Sequence, residues 1–249
     1  MNTVNSKLSK LPRHMFNSPL ELARTLIIRM NEQALEKNDD ETYDVALSGG
    51  STPDVLFRLW ADEYALTTPW EKFRFFWVDE RCVPPTDEAS NYGRFKFLLS
   101  GSIPDLKEGE NVFRIIGEAD PKAEALRYSE LVTSHVRQFD CIILGIGDDG
   151  HTSSIFPGQE HLLSASQPYM PSVHPVTGVK RVAMTGKPMM HASQTIFMVT
   201  GSGKSNIINR IINDGFDCPA SRVMQQADAP ELIGDYAALK NILPTKYGL

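Results

Sequence analysis

The sequence predicts an α/β fold: a mostly parallel, Rossmann-like sheet with helices on both faces. Three observations carry this. Short apolar runs alternate with amphipathic stretches of helical period. The run 139–145 is apolar but for Asp140, as expected of a strand covered on both faces. Several apolar runs end in glycine-rich or charged turns, as strands that feed crossover helices do.

In order along the chain, the stretch 20–35 places Leu22, Leu26, Ile27, Met30 and Ala34 on one helical face. Ser18 is the expected N-cap, with Pro19 at the first helical position and Glu21 three residues after the cap. Tyr43–Leu47 is a short apolar strand that ends in Ser48-Gly49-Gly50-Ser51-Thr52-Pro53, and a helix follows over 54–64. The stretch 73–78 is a second strand, with Asp79-Glu80-Arg81 as its exit. Residues 91–99 read as a helix, 112–116 as a third strand and 121–137 as a long helix. In the second half, 182–184 and 195–200 read as strands, 204–213 as a helix opening from Gly201-Ser202-Gly203, and 235–240 as helical. No repeat, low-complexity segment or linker interrupts the pattern, so a single domain over 1–249 is expected.

Composition narrows the function classes. The net charge is −6 and the pI about 5.5, which argues against nucleic acid and anionic membranes as partners. Cys82, Cys141 and Cys218 are far apart and form no CxxC pair, so they read as buried thiols in a reducing compartment. The N-terminal stretch has no apolar core of a signal peptide, and no apolar run approaches the roughly 20 residues of a membrane helix. A cytoplasmic chain is expected, with monomer and small homo-oligomer both open.

Ligands of such sheets bind at loops beyond the carboxyl ends of the strands. Four unusual segments fall at such ends: the Gly49, Asp79, Gly145 and Gly201 loops. In the first, Gly49 and Gly50 let the backbone approach a ligand, and Thr52 is expected to cap the helix with Pro53 as its first residue. The free N–H groups there, with the hydroxyls of Ser51 and Thr52, suit a phosphate; the plainer reading is a well-capped tight turn. Gly145-Ile146-Gly147-Asp148-Asp149-Gly150 matches GxGxxG, but a dinucleotide is rejected. Asp148 and Asp149 would repel a pyrophosphate, Pro157 and Gly158 interrupt any long helix, and no acidic ribose partner follows. His151, directly after Asp149-Gly150, is a candidate general base that a neighbouring carboxylate can orient. Gly201-Ser202-Gly203-Lys204-Ser205 lacks the first glycine of a Walker A loop, since that position is Met198, yet Lys204 suits a phosphate contact. Arg81 can hold a phosphate or carboxylate by paired hydrogen bonds, with a salt-bridged strand end as the plainer reading. Arg181 and Arg222 are further cationic candidates. The six histidines show no HxxxH or HExxH pair, so no metal site is expected, and no GxSxG elbow occurs.

Together these segments resemble the 6-phosphogluconolactonase family. The resemblance rests on Ser48 to Pro53, Asp79-Glu80-Arg81 with Ser90-Asn91-Tyr92, and GIGDDGHTSSIFPG over 145–158. Gly201 to Lys204 and Pro219-Ala220-Ser221 extend it, so that it covers about 16–238. It implies the NagB/RpiA-like sheet shared with glucosamine-6-phosphate deaminases. Those deaminases have Asp-Glu-Tyr and His-Ile-Ala-Phe-Asn-Glu-Pro where this chain has Asp79-Glu80-Arg81 and a His151 segment without the acidic residue. Ser154 stands where a small apolar residue is more usual, and Leu232-Ile233-Gly234-Asp235 lacks a tryptophan often seen there.

The resemblance implies hydrolysis of a phosphorylated sugar lactone without metal or organic cofactor. His151 would be the base, with Asp149 orienting it and Arg81 or loop amides receiving the oxyanion. Gly49, Gly50, Ser51, Thr52 and Lys204 would hold the phosphate, with Arg81 as a further candidate for positive charge there. Asp79, Asn91, Gly147 and Arg181 would complete the substrate site. A glucosamine-6-phosphate deaminase or isomerase type of enzyme, and a non-catalytic sugar-phosphate sensor, are the alternatives.

Overall fold

A computed structural model describes residues 8–242 and the backbone of the strand Lys246–Tyr247. The strands are β1 (Arg13–Phe16), β2 (Tyr43–Leu47), β3 (Phe73–Trp77), β4 (Asp79–Arg81), β5 (Cys141–Leu144), β6 (Tyr169–Val173), β7 (Lys180–Met184), β8 (Thr195–Val199), β9 (Pro230–Asp235) and β10 (Lys246–Tyr247). The helices are α1 (Pro19–Leu35), α2 (Ser51–Glu63), α3 (Asn91–Leu98), α4 (Pro121–His135), α5 (Gly186–Met190), α6 (Ser205–Ile212), α7 (Pro219–Gln226) and α8 (Tyr236–Leu239).

Seven strands form one sheet in the order β10-β1-β9-β8-β5-β2-β3, and every pairing in it is parallel. From β2 the chain crosses through α2 to β3 on one side, then returns to place β5 on the other side of β2. The direction of winding therefore reverses between β2 and β5, and a crevice opens there beyond the strand ends. The Gly49 turn leaves β2 and the Gly147–His151 turn leaves β5, so the reversal itself brings these two segments together.

The strands stay where they are because both faces are covered. β2 is buried at all five positions and β5 at all four. Next to β2, β3 contributes Phe73, Phe75 and Trp77 to an aromatic cluster with Trp60 of α2, Trp70 and Phe95 of α3. Each such ring buries roughly 150–250 Å2, so this cluster is the main hydrophobic anchor under the Gly49 and Asp79 loops. α1 begins as its sequence suggests: Ser18 accepts the N–H of Glu21, Pro19 is the first residue, and Glu21 reaches back to the N–H of Asn17 at 2.9 Å.

Four expectations change. Asp79–Arg81 is no mere exit. Val78 accepts the N–H of Met184 at 2.7 Å while donating to Leu47 at 2.9 Å, and beyond it the chain enters a second, antiparallel sheet of order β4-β7-β6. The stretch 112–116 buries Val112, Phe113 and Ile115, but it forms no strand: its bridges are those of Val112, to Phe75 and to Glu108. The N–H of Phe113 still reaches the carbonyl of Phe75 at 2.9 Å, but that of Ile116 goes to the Glu124 carboxylate. The cap of α2 is Gly50 with φ 112°, not Thr52, whose hydroxyl instead meets that of Thr200 at 2.7 Å. Of the cysteines, Cys141 and Cys218 are buried and Cys82 is half-buried, and all three are free thiols. No helix among the described residues is long and apolar enough to cross a membrane.

Candidate active site

A cleft of about 230 Å3 lies at the carboxyl ends of β2, β5 and β8, and it is lined by all four predicted loops. Gly49, Gly50, Ser51, Thr52, Asp79, Arg81, Gly147, His151, Arg181 and Lys204 all contribute to its wall. Two of the predicted residues do not line it, Asn91 and Asp149; each stands directly behind a residue that does. Arg222 is elsewhere, holding Asp217 through two hydrogen bonds of 2.7 Å.

The Gly49 turn is built around two backbone requirements. A Cβ on Gly49 would fall 1.9 Å from Oδ1 of Asn91, so only glycine lets the loop close onto α3. Gly50 has φ 112°, which side-chain-bearing residues rarely adopt. The first intrahelical bond of α2 runs from the N–H of Asp54 to Gly50, at 3.1 Å. The preceding amides of Ser51 and Thr52 have no partner within the helix, and Pro53 has no N–H. This leaves donors and the positive end of a 13-residue helix at the cleft wall. Opposite them, Lys204 closes the Ser202–Lys204 turn ahead of α6. Its ammonium group is held by Asp148 at 2.6 Å, a partner that the sequence gave no reason to expect.

His151 is fixed from three sides. Its Nδ1 lies 2.6 Å from Oδ1 of Asp149. Its carbonyl accepts the N–H of Gly147 at 2.9 Å. Its ring packs 4.6 Å, centroid to centroid, from the buried ring of Phe156. A carboxylate only accepts hydrogen bonds, so Nδ1 carries the proton and Nε2 of the neutral ring keeps its lone pair. Burial raises the pKa of Asp149, but the N–H of His151 and the imidazole outweigh it, and the carboxyl is held below its ordinary value. Gly147 is required here because a Cβ would sit 2.1 Å from Nδ1 of His151.

On the far side of the cleft, Asp79 is buried, receives two hydrogen-bond donors and faces one more distant cation. Nδ2 of Asn91 bonds its carbonyl at 2.8 Å and its Oδ1 at 3.3 Å, the Ser154 hydroxyl bonds Oδ2, and Arg181 stands 3.9 Å from Oδ2. Glu80 points the other way, into the protein. It accepts the N–H groups of Arg81, Asn91 and Tyr92 at 2.8 Å and the hydroxyl of Ser90 at 3.0 Å. Burial pushes its pKa up against those hydrogen bonds. Glu80 thereby ties the start of α3 to β4 and sets Asn91 behind Gly49. Sequence reasoning gave Glu80 no role, because its partners other than Arg81 lie ten to twelve residues away with no local signature.

Ser153 and Ser154 were also unforeseen. Both are left-handed, with φ 48° and 54°. The hydroxyl of Ser153 bonds the carbonyls of Val78 and Met184 at 2.7 and 3.1 Å, so it staples the junction of the two sheets. Among the described residues, no three of His, Cys, Asp or Glu gather as metal ligands.

The sequence model of a family described as glucosamine-6-phosphate isomerases/6-phosphogluconolactonase matches residues 17–232. A 6-phosphogluconolactonase from Treponema pallidum (strain Nichols) is 37% identical over 211 residues, covering 82% of this chain and 85% of that protein. Among solved structures, one titled as the devB protein superposes with a TM-score of 0.86 at 32% identity, covering 93% of this chain and 99% of the other. The 6-phosphogluconolactonase of Trypanosoma cruzi gives 0.80 at 27% identity, covering 93% and 97%. With the family's sequence pattern running through the four loops that make the cleft, the chain belongs to the glucosamine-6-phosphate isomerase/6-phosphogluconolactonase family.

Proposed function

We propose that this chain hydrolyses 6-phospho-D-glucono-1,5-lactone to 6-phosphogluconate, in the oxidative pentose phosphate pathway of the cytoplasm, with the single domain 1–249 carrying the whole site. The relatives' activity supports the reaction class. The observation that carries the reading is His151, held by Asp149 at 2.6 Å, in the same cleft as a phosphate-ready helix start.

The phosphate rests on the amides and hydroxyls of Ser51 and Thr52, with Gly49 and Gly50 allowing close approach and Lys204 supplying charge. Anchoring that end holds the lactone carbonyl near His151, and such positioning converts binding into rate. Nε2 of His151 takes a proton from water as the water oxygen attacks C1. The carbonyl oxygen becomes an alkoxide, received by Arg81 or the loop amides that end at Gly147. The alkoxide then collapses, the bond from C1 to the ring oxygen breaks, and the imidazolium returns its proton to that oxygen. The new carboxylic acid ionises to solvent. Asp149 holds the ring tautomer and offsets the imidazolium charge. Asp79 faces the sugar hydroxyls, with Asn91 fixing it. An ester carbonyl is electrophilic on its own, so the side chains and backbone amides of this chain suffice for the reaction.

The test is an assay in which 6-phosphogluconate formation from fresh lactone is coupled to its oxidative decarboxylation. Acceleration over the spontaneous reaction is expected. A rate equal to the protein-free control, or ammonia release from glucosamine 6-phosphate instead, would overturn the proposal.

A further inference from the structure

The turn that joins β6 to β7 has one residue drawn inward. From Val173 to Lys180 every residue is exposed except His174, which is half-buried. Its ring packs on Phe156, with centroids 4.8 Å apart and planes at 56°. Phe156 is 1% exposed, and its ring also meets that of His151, at 4.6 Å and 44°. One buried ring thus touches both the candidate base and a histidine of the small sheet. Neither Phe156 nor His174 lines the cleft.

His174 is held by its own turn. Its N–H donates to the carbonyl of Val179 at 3.0 Å, and its carbonyl accepts the N–H of Gly178 at 2.9 Å. Nδ1 accepts the N–H groups of Val176 and Thr177, both at 3.2 Å. A ring nitrogen that accepts carries no proton, so Nε2 holds the proton of the neutral ring. A second tie runs alongside. Nε2 of Gln159 donates to the carbonyl of Val173 at 2.7 Å. The segment that carries His151 and Phe156 is therefore fastened to the β6–β7 turn at two consecutive residues, Val173 and His174.

Asp149 decides which nitrogen of His151 keeps the lone pair. The plane of the imidazole is a separate matter, because χ2 of a histidine is a broad well. That plane is limited by what the ring packs against, which is Phe156. Phe156 in turn is limited by His174. Close-packed interiors pass on a displacement instead of absorbing it, and removing one ring leaves a void into which its neighbour moves.

We propose that His174 is a positioning residue: through Phe156 it holds the His151 imidazole in the plane from which Nε2 meets the attacking water. This rests on the proposed lactone hydrolysis with His151 as base. The phosphate is held by other loops, so the effect falls on kcat and leaves KM alone.

The experiment compares two variants of the whole protein that split the two properties of His174. His174→Asn keeps an acceptor for the turn and loses the ring. His174→Phe keeps a ring and loses the acceptor. His174→Asn is expected to lower kcat by about tenfold with KM unchanged, less than the 10²-fold of a 1 Å misplacement because the tautomer is still set locally. His174→Phe is expected to recover most of that loss. A second readout does not need turnover: the Hε1 and Hδ2 resonances of His151, assigned by their absence from His151→Ala. They are expected to shift in His174→Asn, where the Phe156 ring moves, and to stay close to wild type in His174→Phe. Wild-type kcat and unshifted His151 resonances in His174→Asn overturn the proposal. So does equal loss of kcat in both variants, which would assign the effect to the turn and not the ring, and so does a rise in KM alone. A wild type that leaves the lactone untouched would sink the hydrolase reading, and the His151 resonances would then decide the coupling by themselves.

Discussion

Oδ1 of Asp149 accepts both Nδ1–H of His151, at 2.6 Å, and the backbone N–H of the same residue, at 3.0 Å. One carboxylate oxygen thus fixes the ring tautomer and the main chain that carries it. This arrangement depends on Gly150, whose φ of 86° turns the chain back within two residues. The cleft-facing lone pair of His151 is therefore a property of a local turn rather than of distant packing.

His151→Ala removes the proton acceptor and leaves the turn's backbone bonds in place. A drop in kcat of about 10²- to 10⁴-fold is expected, with an unchanged far-ultraviolet circular dichroism spectrum. Lactone hydrolysis near the wild-type rate, after subtraction of the spontaneous reaction, would remove His151 as the base.

Asp149→Asn keeps the shape but offers a donor where the ring needs an acceptor, so kcat should fall by about 10²- to 10⁴-fold through the wrong tautomer. A pH signature accompanies it. The folded-state pKa of Asp149 is depressed, so its contribution to stability is present above the unfolded value of about 3.9 and is lost as pH falls through the lower folded value. The melting-temperature gap between wild type and Asp149→Asn should therefore begin to narrow as pH falls below about 4. A gap that widens in acid contradicts the assignment.

Gly147 and Gly145 provide a matched pair. A Cβ at 147 meets Nδ1 of His151 at 2.1 Å, whereas one at 145 meets nothing within 4 Å. Gly147→Ala is expected to cost activity by displacing the imidazole, on the order of the 10²-fold losses that follow a 1 Å misplacement. Gly145→Ala should stay within a few-fold of wild type. Equal effects of the two would mean that the ring is not held where the structure puts it.

Much of this site could be read locally. The Gly49 turn and the His151 segment are runs of a few residues whose spacing alone signals a strand end, a helix start and a base beside a carboxylate. What escaped the sequence depends on long-range pairing. β4, β6 and β7 are short and polar in part, and nothing local says that Arg81 will face Arg181 across 100 residues of chain. Strands β1 and β9 escaped for the same reason, since their register with each other is set by the completed sheet. Conversely, 112–116 looked like a strand because Val112, Phe113 and Ile115 are truly core residues. Burial there is achieved without a ladder, and hydrophobic pattern cannot separate the two.

Lys204 is tied to Asp148 at 2.6 Å, with the carboxylate largely in solvent. An exposed ion pair of this kind contributes little to stability, so Lys204→Gln should leave the melting temperature nearly unchanged. Loss of its charge from the phosphate end should raise KM by about tenfold or more with a smaller change in kcat, since uniform binding is what disappears. An unchanged KM would take Lys204 out of the phosphate site.

Ser154 combines a left-handed backbone, φ 54°, with a hydroxyl that tethers Asp79. The two properties can be separated by substitution. Ser154→Ala loses the tether and keeps the Cβ that disfavours this backbone. Ser154→Gly loses the tether and the Cβ together. The left-handed conformation costs a non-glycine residue about 1–2 kcal/mol, so the alanine variant should melt lower than the glycine variant, by about 2–4 °C per kcal/mol for a chain of this size. Both variants should show a raised KM, because Asp79 loses a donor and Arg181 a neighbour in each. If alanine and glycine melt together, the turn relaxes out of the left-handed region once the hydroxyl is gone, and the strain belongs to the tether rather than to the fold around it.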